Sequence, residues 1–245
     1  MRFFSIILPT LNAADTVRDA LASIASQSFT SYEVLLQDGG STDNTLAQAA
    51  TFAGPLGGRL KIQQRPDAGV YDAMNRAMRR AQGRWFYFLG ADDVLEGLDV
   101  LQRMADEIRA RPRVQVIHGQ VRLKSGGVLP ESGFQPKLLT RNNICHQAIF
   151  YRRDVLRLVG DYDLAYPVWA DWDYNMRCLF SRRLDIDEVD LVVATYNDLS
   201  GLSHANPDAA YLAQLKALRG KTPPPPAPWP LWQRARRSLE NWIDR

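Results

Sequence analysis

The first ninety residues alternate continuous apolar β-type runs with segments of helical spacing, and this alternation constrains the fold more than any other feature of the chain. Phe3–Leu8, Tyr32–Gln37, Arg59–Gln63 and Trp85–Leu89 read as strands. Between them, Asp15–Gln27 carries Val17, Leu21, Ile24 and Ala25 at helical period, and Thr45–Phe52 and Tyr71–Ala81 read as two further helices. Strands alternating with helices predict the α/β class, a mostly parallel sheet with helices on both faces. In such sheets ligands bind beyond the carboxyl ends of the strands, so the loops after Leu8, Gln37, Gln63 and Leu89 are expected along one edge.

The second half reads as less regular and mixed. Val114–Leu129 predicts a short hairpin around Lys124-Ser125-Gly126-Gly127, and Gln147–Tyr151 and Leu191–Thr195 predict strands. With 46% hydrophobic and 23% charged residues, the 245-residue chain can bury a sizeable core without disulfides. Cys145 and Cys178 match no CxxC or zinc spacing and read as reduced thiols, hence a cytoplasmic chain. No apolar run approaches the ~18 residues of a membrane span, and Phe3–Leu8 is followed by no signal cleavage site.

The net charge of +3 is unevenly placed. Residues 216–245 hold seven of the 30 Lys and Arg and two of the 27 Asp and Glu, which leaves 23 basic against 25 acidic residues in the first 215, a net −2. A body of that charge is not a nucleic-acid binder, whose positive charge spreads over its main surface. The expected organisation is one domain over residues 1–220, with halves 1–93 and 94–220, then a Pro-rich spacer and basic tail over 221–245. In the tail Leu231, Ala235, Leu239 and Trp242 share one helical stripe, with Arg234, Arg236 and Arg237 interleaved. Such a stripe either lies on an anionic membrane surface or packs on the body or a second protomer.

Chemistry is expected at the strand ends. Pro9, Thr10 and Asn12 follow the first strand, and Asp38 opens the run Asp38-Gly39-Gly40-Ser41-Thr42-Asp43-Asn44 after the second. Turn and helix-cap roles account for Gly39–Asn44, but not as well for Asp38. Arg65 and Asp67 follow the third strand, and Phe86–Leu89 runs through Gly90 and Ala91 into Asp92-Asp93. Adjacent acids raise each other's pKa unless a cation sits beside them, an arrangement suited to Mg²⁺ or Mn²⁺ with substrate phosphates. Taken alone the pair also reads as the first turn of a helix.

In order along the chain, PTLN, DGGSTDNT, RPDAGVYDAMNRA, FLGADD and WADWDYNMR resemble the family 2 glycosyltransferases, and the resemblance covers Ser5–Ser203. It implies the GT-A nucleotide-sugar-binding fold and transfer of a hexosyl-type sugar, with inversion, from a nucleoside diphosphate donor to an acceptor hydroxyl. By this resemblance Pro9 and Asp38 contact the nucleotide base, with Thr10, Asn12, Arg65 and Asp67 on the same edge. Asp92 meets ribose or metal, and Asp93 holds the divalent cation. Gly39 stands where many relatives carry a second acid, so any role of that acid is absent. Asp171 takes the position of the acceptor-activating base, with Ala170 where relatives have Glu. Asp173 is its rival and otherwise supplies helix first-turn charge.

Trp169 and Trp172 form either an acceptor-stacking platform or core. His146, Ser203 and His204 are candidates for phosphate or acceptor contacts, each with an ordinary loop role as the alternative, and His118 reads as core. A glycan or lipid-linked glycan at the inner membrane face, as in bacterial surface-polysaccharide synthesis, is the expected acceptor. The competing reading is a catalytically silent nucleotide-sugar-binding or scaffold subunit, against which Asp92, Asp93 and Asp171 argue. A nucleotidyltransferase would show a Gly-rich basic signature where PTLNAADT stands, and a dinucleotide oxidoreductase a GxGxxG after a strand; neither is present.

Overall fold

The computed structural model describes residues 2–129, 135, 139, 141–181, 183–199, 209 and 211–213. Its strands are β1 (Phe4–Thr10), β2 (Tyr32–Asp38), β3 (Leu60–Gln64), β4 (Trp85–Phe88), β5 (Val94–Leu95), β6 (Val116–Leu123), β7 (Val128–Leu129), β8 (Ile149–Arg152) and β9 (Ile186–Tyr196). Its helices are α1 (Val17–Ala25), α2 (Thr45–Ala50), α3 (Val70–Arg80), α4 (Val100–Ala110), α5 (Val155–Val159) and α6 (Ala170–Phe180). All nine strands join one sheet, ordered β3-β2-β1-β4-β8-β6-β9-β5, with β7 paired to β6.

β1 through β4 run parallel, so the loops that follow them share an edge. β8 is antiparallel to both β4 and β6, and this is where the mixed half joins the parallel one. Every residue of β1, β2 and β4 is buried. Side chains alternate between faces along a strand. Ile6, Leu8, Val34 and Tyr87 accordingly pack with α1 and α4, whereas Ile7, Leu35, Phe86 and Phe88 pack with α3 and α6. Burial on both sides explains why these strands read as unbroken apolar runs rather than as alternating ones.

The hairpin expected over Val114–Leu129 is present, with Val121 opposite Leu129 and Arg122 opposite Val128. β9 begins five residues before the expected Leu191, because Asp187, Glu188 and Asp190 occupy exposed positions and hide the apolar alternation. Gln147, expected on a strand, lies in a 3₁₀ turn over His146–Ala148. His118 is buried, Cys178 is buried and Cys145 is half-buried, both cysteines without a disulfide. Among the described residues no helix is long and apolar enough to cross a membrane. Ser203, His204 and the spacer and tail over 221–245 lie outside the described residues.

Candidate functional site

A cleft of about 670 Å³ opens at the carboxyl ends of β1 and β4, closed on its far side by α3 and the start of α6. Of the sequence-derived candidates, Pro9, Asn12, Asp92, Asp93, His146, Asp171 and Trp172 line it. Thr10, Asp38, Arg65 and Asp67 do not, and sit beside it at the ends of β1, β2 and β3.

Asp38 is fully buried. Its carboxylate accepts hydrogen bonds from the Thr10 hydroxyl at 2.9 Å, the Gly40 N–H at 3.0 Å and the Ser41 N–H and hydroxyl, which close the turn after β2. Burial by itself would raise this carboxyl, but the bonds from Ser41, Thr10 and Gly40 outweigh it and hold it below the usual carboxylate range. Asn12 has φ 50, a left-handed conformation that asparagine tolerates better than most side chains. From there its Oδ1 accepts from the Thr42 N–H at 3.0 Å and its N–H donates to Ser41 Oγ at 2.8 Å, pinning the β1 and β2 loops together.

A Cβ added to Gly39 would stand 2.8 Å from Asp67 Oδ2, and the three atoms nearest to it all belong to the Asp67 carboxylate. The room that a side chain at position 39 would need is thus taken by the acid from the β3 loop. Burial pushes the Asp67 carboxyl up, and the neighbouring Asp72 and Asp38 charges add to that against its Gly69 N–H bond. Arg65 is exposed.

Buried β4 delivers Asp92 and Asp93 to the cleft floor. Asp93 is 2% exposed, and it accepts from Gln147 Nε2 at 2.7 Å, the Gly90 N–H at 3.2 Å and the Asn197 N–H at 2.8 Å. The Asn197 side chain donates to Asp92 at 2.9 Å, so one residue at the end of β9 ties both acids. Burial raises the Asp93 carboxyl, and the Asp92 charge pushes the same way. No ion pair among the described residues involves either acid. Nor do they hold a cluster of three metal-ligating side chains.

Across the cleft, Asp171 lies in the first turn of α6 and is 8% exposed. Oδ2 accepts from Asn143 Nδ2 at 2.8 Å and faces His146 Nδ1 at 3.5 Å. Oδ1 faces the Tyr71 hydroxyl at 3.0 Å, and that hydroxyl also faces the Val168 carbonyl at 2.7 Å. One phenolic proton serves both acceptors, and the shorter contact favours the carbonyl. Asp173, two residues on, points elsewhere and pairs with Arg177 at 2.8 Å, one turn along the same helix. The 3₁₀ turn therefore aims His146 at Asp171 and the next residue, Gln147, at Asp93.

Trp172 is nearly buried, with Nε1 donating to the Leu139 carbonyl at 2.7 Å, while half-buried Trp169 stands edge-on to it at 5.5 Å between ring centres. The sequence reading had no role for Tyr71, Asn143, Asn175, Gln147 or Asn197. Tyr71, Gln147 and Asn175 belong to segments quoted above, but amides and phenols carry no spacing signal of their own.

The sequence profile described as glycosyl transferase family 2 matches residues 5–157. A PGL/p-HBAD biosynthesis glycosyltransferase of Mycobacterium tuberculosis (strain H37Rv) is 46% identical over 213 residues, covering 86% of this chain and 83% of that protein. Staphylococcus aureus TarS 1–349 in complex with UDP-GlcNAc superposes with a TM-score of 0.73 at 23% identity, over 89% of this chain and 65% of that one. The chain spans 42% of the length of S. aureus TarS in a further structure of that protein. A mannosyltransferase of Pyrobaculum calidifontis in complex with GDP-Man and Mn²⁺ superposes with a TM-score of 0.66 at 18% identity, over 99% of this chain and 70% of that one. The fold is the GT-A fold, and the chain belongs to glycosyl transferase family 2.

Proposed function

We propose that the chain transfers a sugar from a nucleoside diphosphate donor to an acceptor hydroxyl with inversion, and that Asp171 is the general base. The observation that carries this reading is the pair of acids at the end of β4 facing, across one cleft, a single buried carboxylate surrounded by hydrogen-bond donors. The acceptor oxygen attacks the anomeric carbon as the bond to the diphosphate oxygen breaks, and the acceptor proton passes to Asp171. Asn143, donating to Oδ2, holds the carboxylate in place for that transfer.

Asp92 and Asp93 fit a divalent cation such as Mn²⁺ or Mg²⁺: they are hard oxygen donors side by side, with no Lys or Arg among the described residues paired to them. A cation held there would neutralise charge on the departing diphosphate. Pro9, Asn12, Arg65 and Asp67 border the donor's base side, and buried Asp38 with Thr10 fixes the turn behind them. The acceptor belongs to a glycolipid or surface polysaccharide, the former in keeping with the PGL/p-HBAD biosynthesis for which the mycobacterial relatives are named. His146 and Trp172 border its path. Ser203 and His204 contact phosphate or acceptor, and the basic tail brings the enzyme to an anionic membrane; vesicle flotation of the chain lacking residues 223–245 tests that attachment.

The central experiment incubates UDP-, GDP- and dTDP-sugars with Mn²⁺ and a glycolipid acceptor, then reads the product's anomeric configuration by NMR. Asp171→Asn is expected to lower kcat by about 10² to 10⁴ with donor affinity kept. Asp173→Asn is expected to cost under about tenfold in kcat, and instead to destabilise the fold by about 1–3 kcal/mol, because half-buried Arg177 loses its charged partner and keeps only the Val159 and Asp161 carbonyls. A retained anomeric configuration, or a dead Asp173→Asn beside an active Asp171→Asn, overturns the reading.

A further inference from the structure

The base has a buried support that never reaches the cleft. Residues four apart on a helix share a face, so Asp171 and Asn175 form one row of α6 and Asp173 and Arg177 another. Asn175 is fully buried, and its amide makes three hydrogen bonds. Nδ2 lies 3.3 Å from the Ile144 carbonyl and 2.9 Å from Asn143 Oδ1, and Oδ1 lies 2.6 Å from the Tyr151 hydroxyl.

The direction of these bonds follows from one atom. A backbone carbonyl only accepts, so the end of the Asn175 amide facing Ile144 must be the NH₂, and the Tyr151 hydroxyl must then donate to the other end. The same NH₂ donates to Asn143, which leaves Asn143 to present its own NH₂ to Asp171 Oδ2 at 2.8 Å. A single polarity thus runs from Tyr151 through Asn175 and Asn143 to the carboxylate.

We infer that Asn175 is a positioning residue for Asp171: by fixing the orientation of the Asn143 amide, it ensures that an N–H and not a carbonyl oxygen faces the base. This rests on Asp171 being the base. Asn175→Asp replaces the NH₂ with an acceptor of nearly the same shape. Asn143 then turns its NH₂ toward position 175 and its oxygen toward Asp171, which sets two acceptors against each other.

The test uses the full chain and compares Asp171→Asn, Asn175→Asp, Asn143→Ala and the double variant Asn143→Ala/Asn175→Asp. Steady-state rates are measured against donor and acceptor, and donor affinity by calorimetry. A hydrogen bond to a charged group governs a 10- to 100-fold effect, so Asn175→Asp is expected to lower kcat by about that factor with donor KM and affinity within about threefold of wild type. In the Asn143→Ala background the same change should add less than about twofold, because the amide through which it acts is gone. A merely structural defect would persist in that background.

The inference is overturned if Asn175→Asp keeps wild-type kcat, or if the two single effects multiply in the double variant. Should Asn175→Asp fail to fold, Asn143→Asp at the half-buried cleft rim makes the same comparison by placing an oxygen against Asp171; a wild-type kcat there also overturns the inference. An active Asp171→Asn removes the base assignment and with it the positioning role. An inactive Asp171→Asn beside active Asn175 and Asn143 variants removes the positioning role alone.

Discussion

Replacing Gly90 by alanine should do more damage than any other single methyl group added to this chain near the cleft. The backbone at Gly90 is outside the left-handed region, so alanine is conformationally allowed there; the obstacle is the acids folded over it. A Cβ would sit 2.4 Å from Asp93 Oδ2 and 3.0 Å from Asp92 Oδ1, where ordinary contact begins at 3.4 Å, so Asp93 has to retreat by about 1.0 Å. That movement pulls it from Gln147 at 2.7 Å and from the Asn197 N–H at 2.8 Å. Hydrogen bonds to a charged group are worth about 1.5–3 kcal/mol each, and relaxation recovers part, so the expected loss is on the order of 2–5 kcal/mol. At about 2–4 °C per kcal/mol for a chain of this size, Tm falls by roughly 4–20 °C.

On the proposed cation-holding role of Asp93, the same displacement should weaken Mn²⁺-dependent donor binding by about 100-fold, since misplacement by about 1 Å can cost that much. Thermal unfolding and calorimetric titration of UDP- and GDP-sugars with Mn²⁺ read the two effects. Gly54→Ala is the control, because a Cβ there meets nothing within 4 Å. Wild-type Tm and donor affinity in Gly90→Ala would refute the reasoning, for the carboxylates could not then be packed as described.

Two further expectations rest on local geometry. Gly39→Asp should lower stability by about 1–3 kcal/mol through its clash with the Asp67 carboxylate, and Asp67→Ala should relieve most of that loss; equal losses with and without Asp67 in a double-mutant cycle would remove the explanation. Glu33 is buried, and although burial alone would raise its carboxyl, bonds from Lys61, Ser5 and the Gln82 N–H hold it below the usual range. Its stabilisation is therefore present above the unfolded carboxyl pKa of about 4.3 and lost as pH falls through the lowered folded value. Glu33→Gln should cost about 3 kcal/mol in urea unfolding at neutral pH and progressively less below about pH 4, and a pH-independent cost would count against the assignment.

The parallel half was legible because its strands are buried on both faces and its helices on one, which leaves unbroken apolar runs alternating with a 3.6-residue period. Helix α4 carries Val100, Leu101, Met104, Ala105 and Ile108 inward and follows the same rule. β9 was shortened for the opposite reason, since three of its residues put charge into solvent.

For the site, the strand-end position of Asp92-Asp93 and, for Asp171, the resemblance to family 2 glycosyltransferases were enough to nominate these acids. The sequence could not say that Asp38 spends its oxygens on the turn after β2, or that Asp67 fills the space left by Gly39. Nor could it nominate Gln147, Asn197, Asn143 or Asn175, which lie between 28 and 105 residues from the groups they hold. Local spacing determines helix faces and strand ends. The direction of a hydrogen bond between distant amides depends on which backbone carbonyl happens to face them, and only the folded sheet brings the Ile144 carbonyl to Asn175.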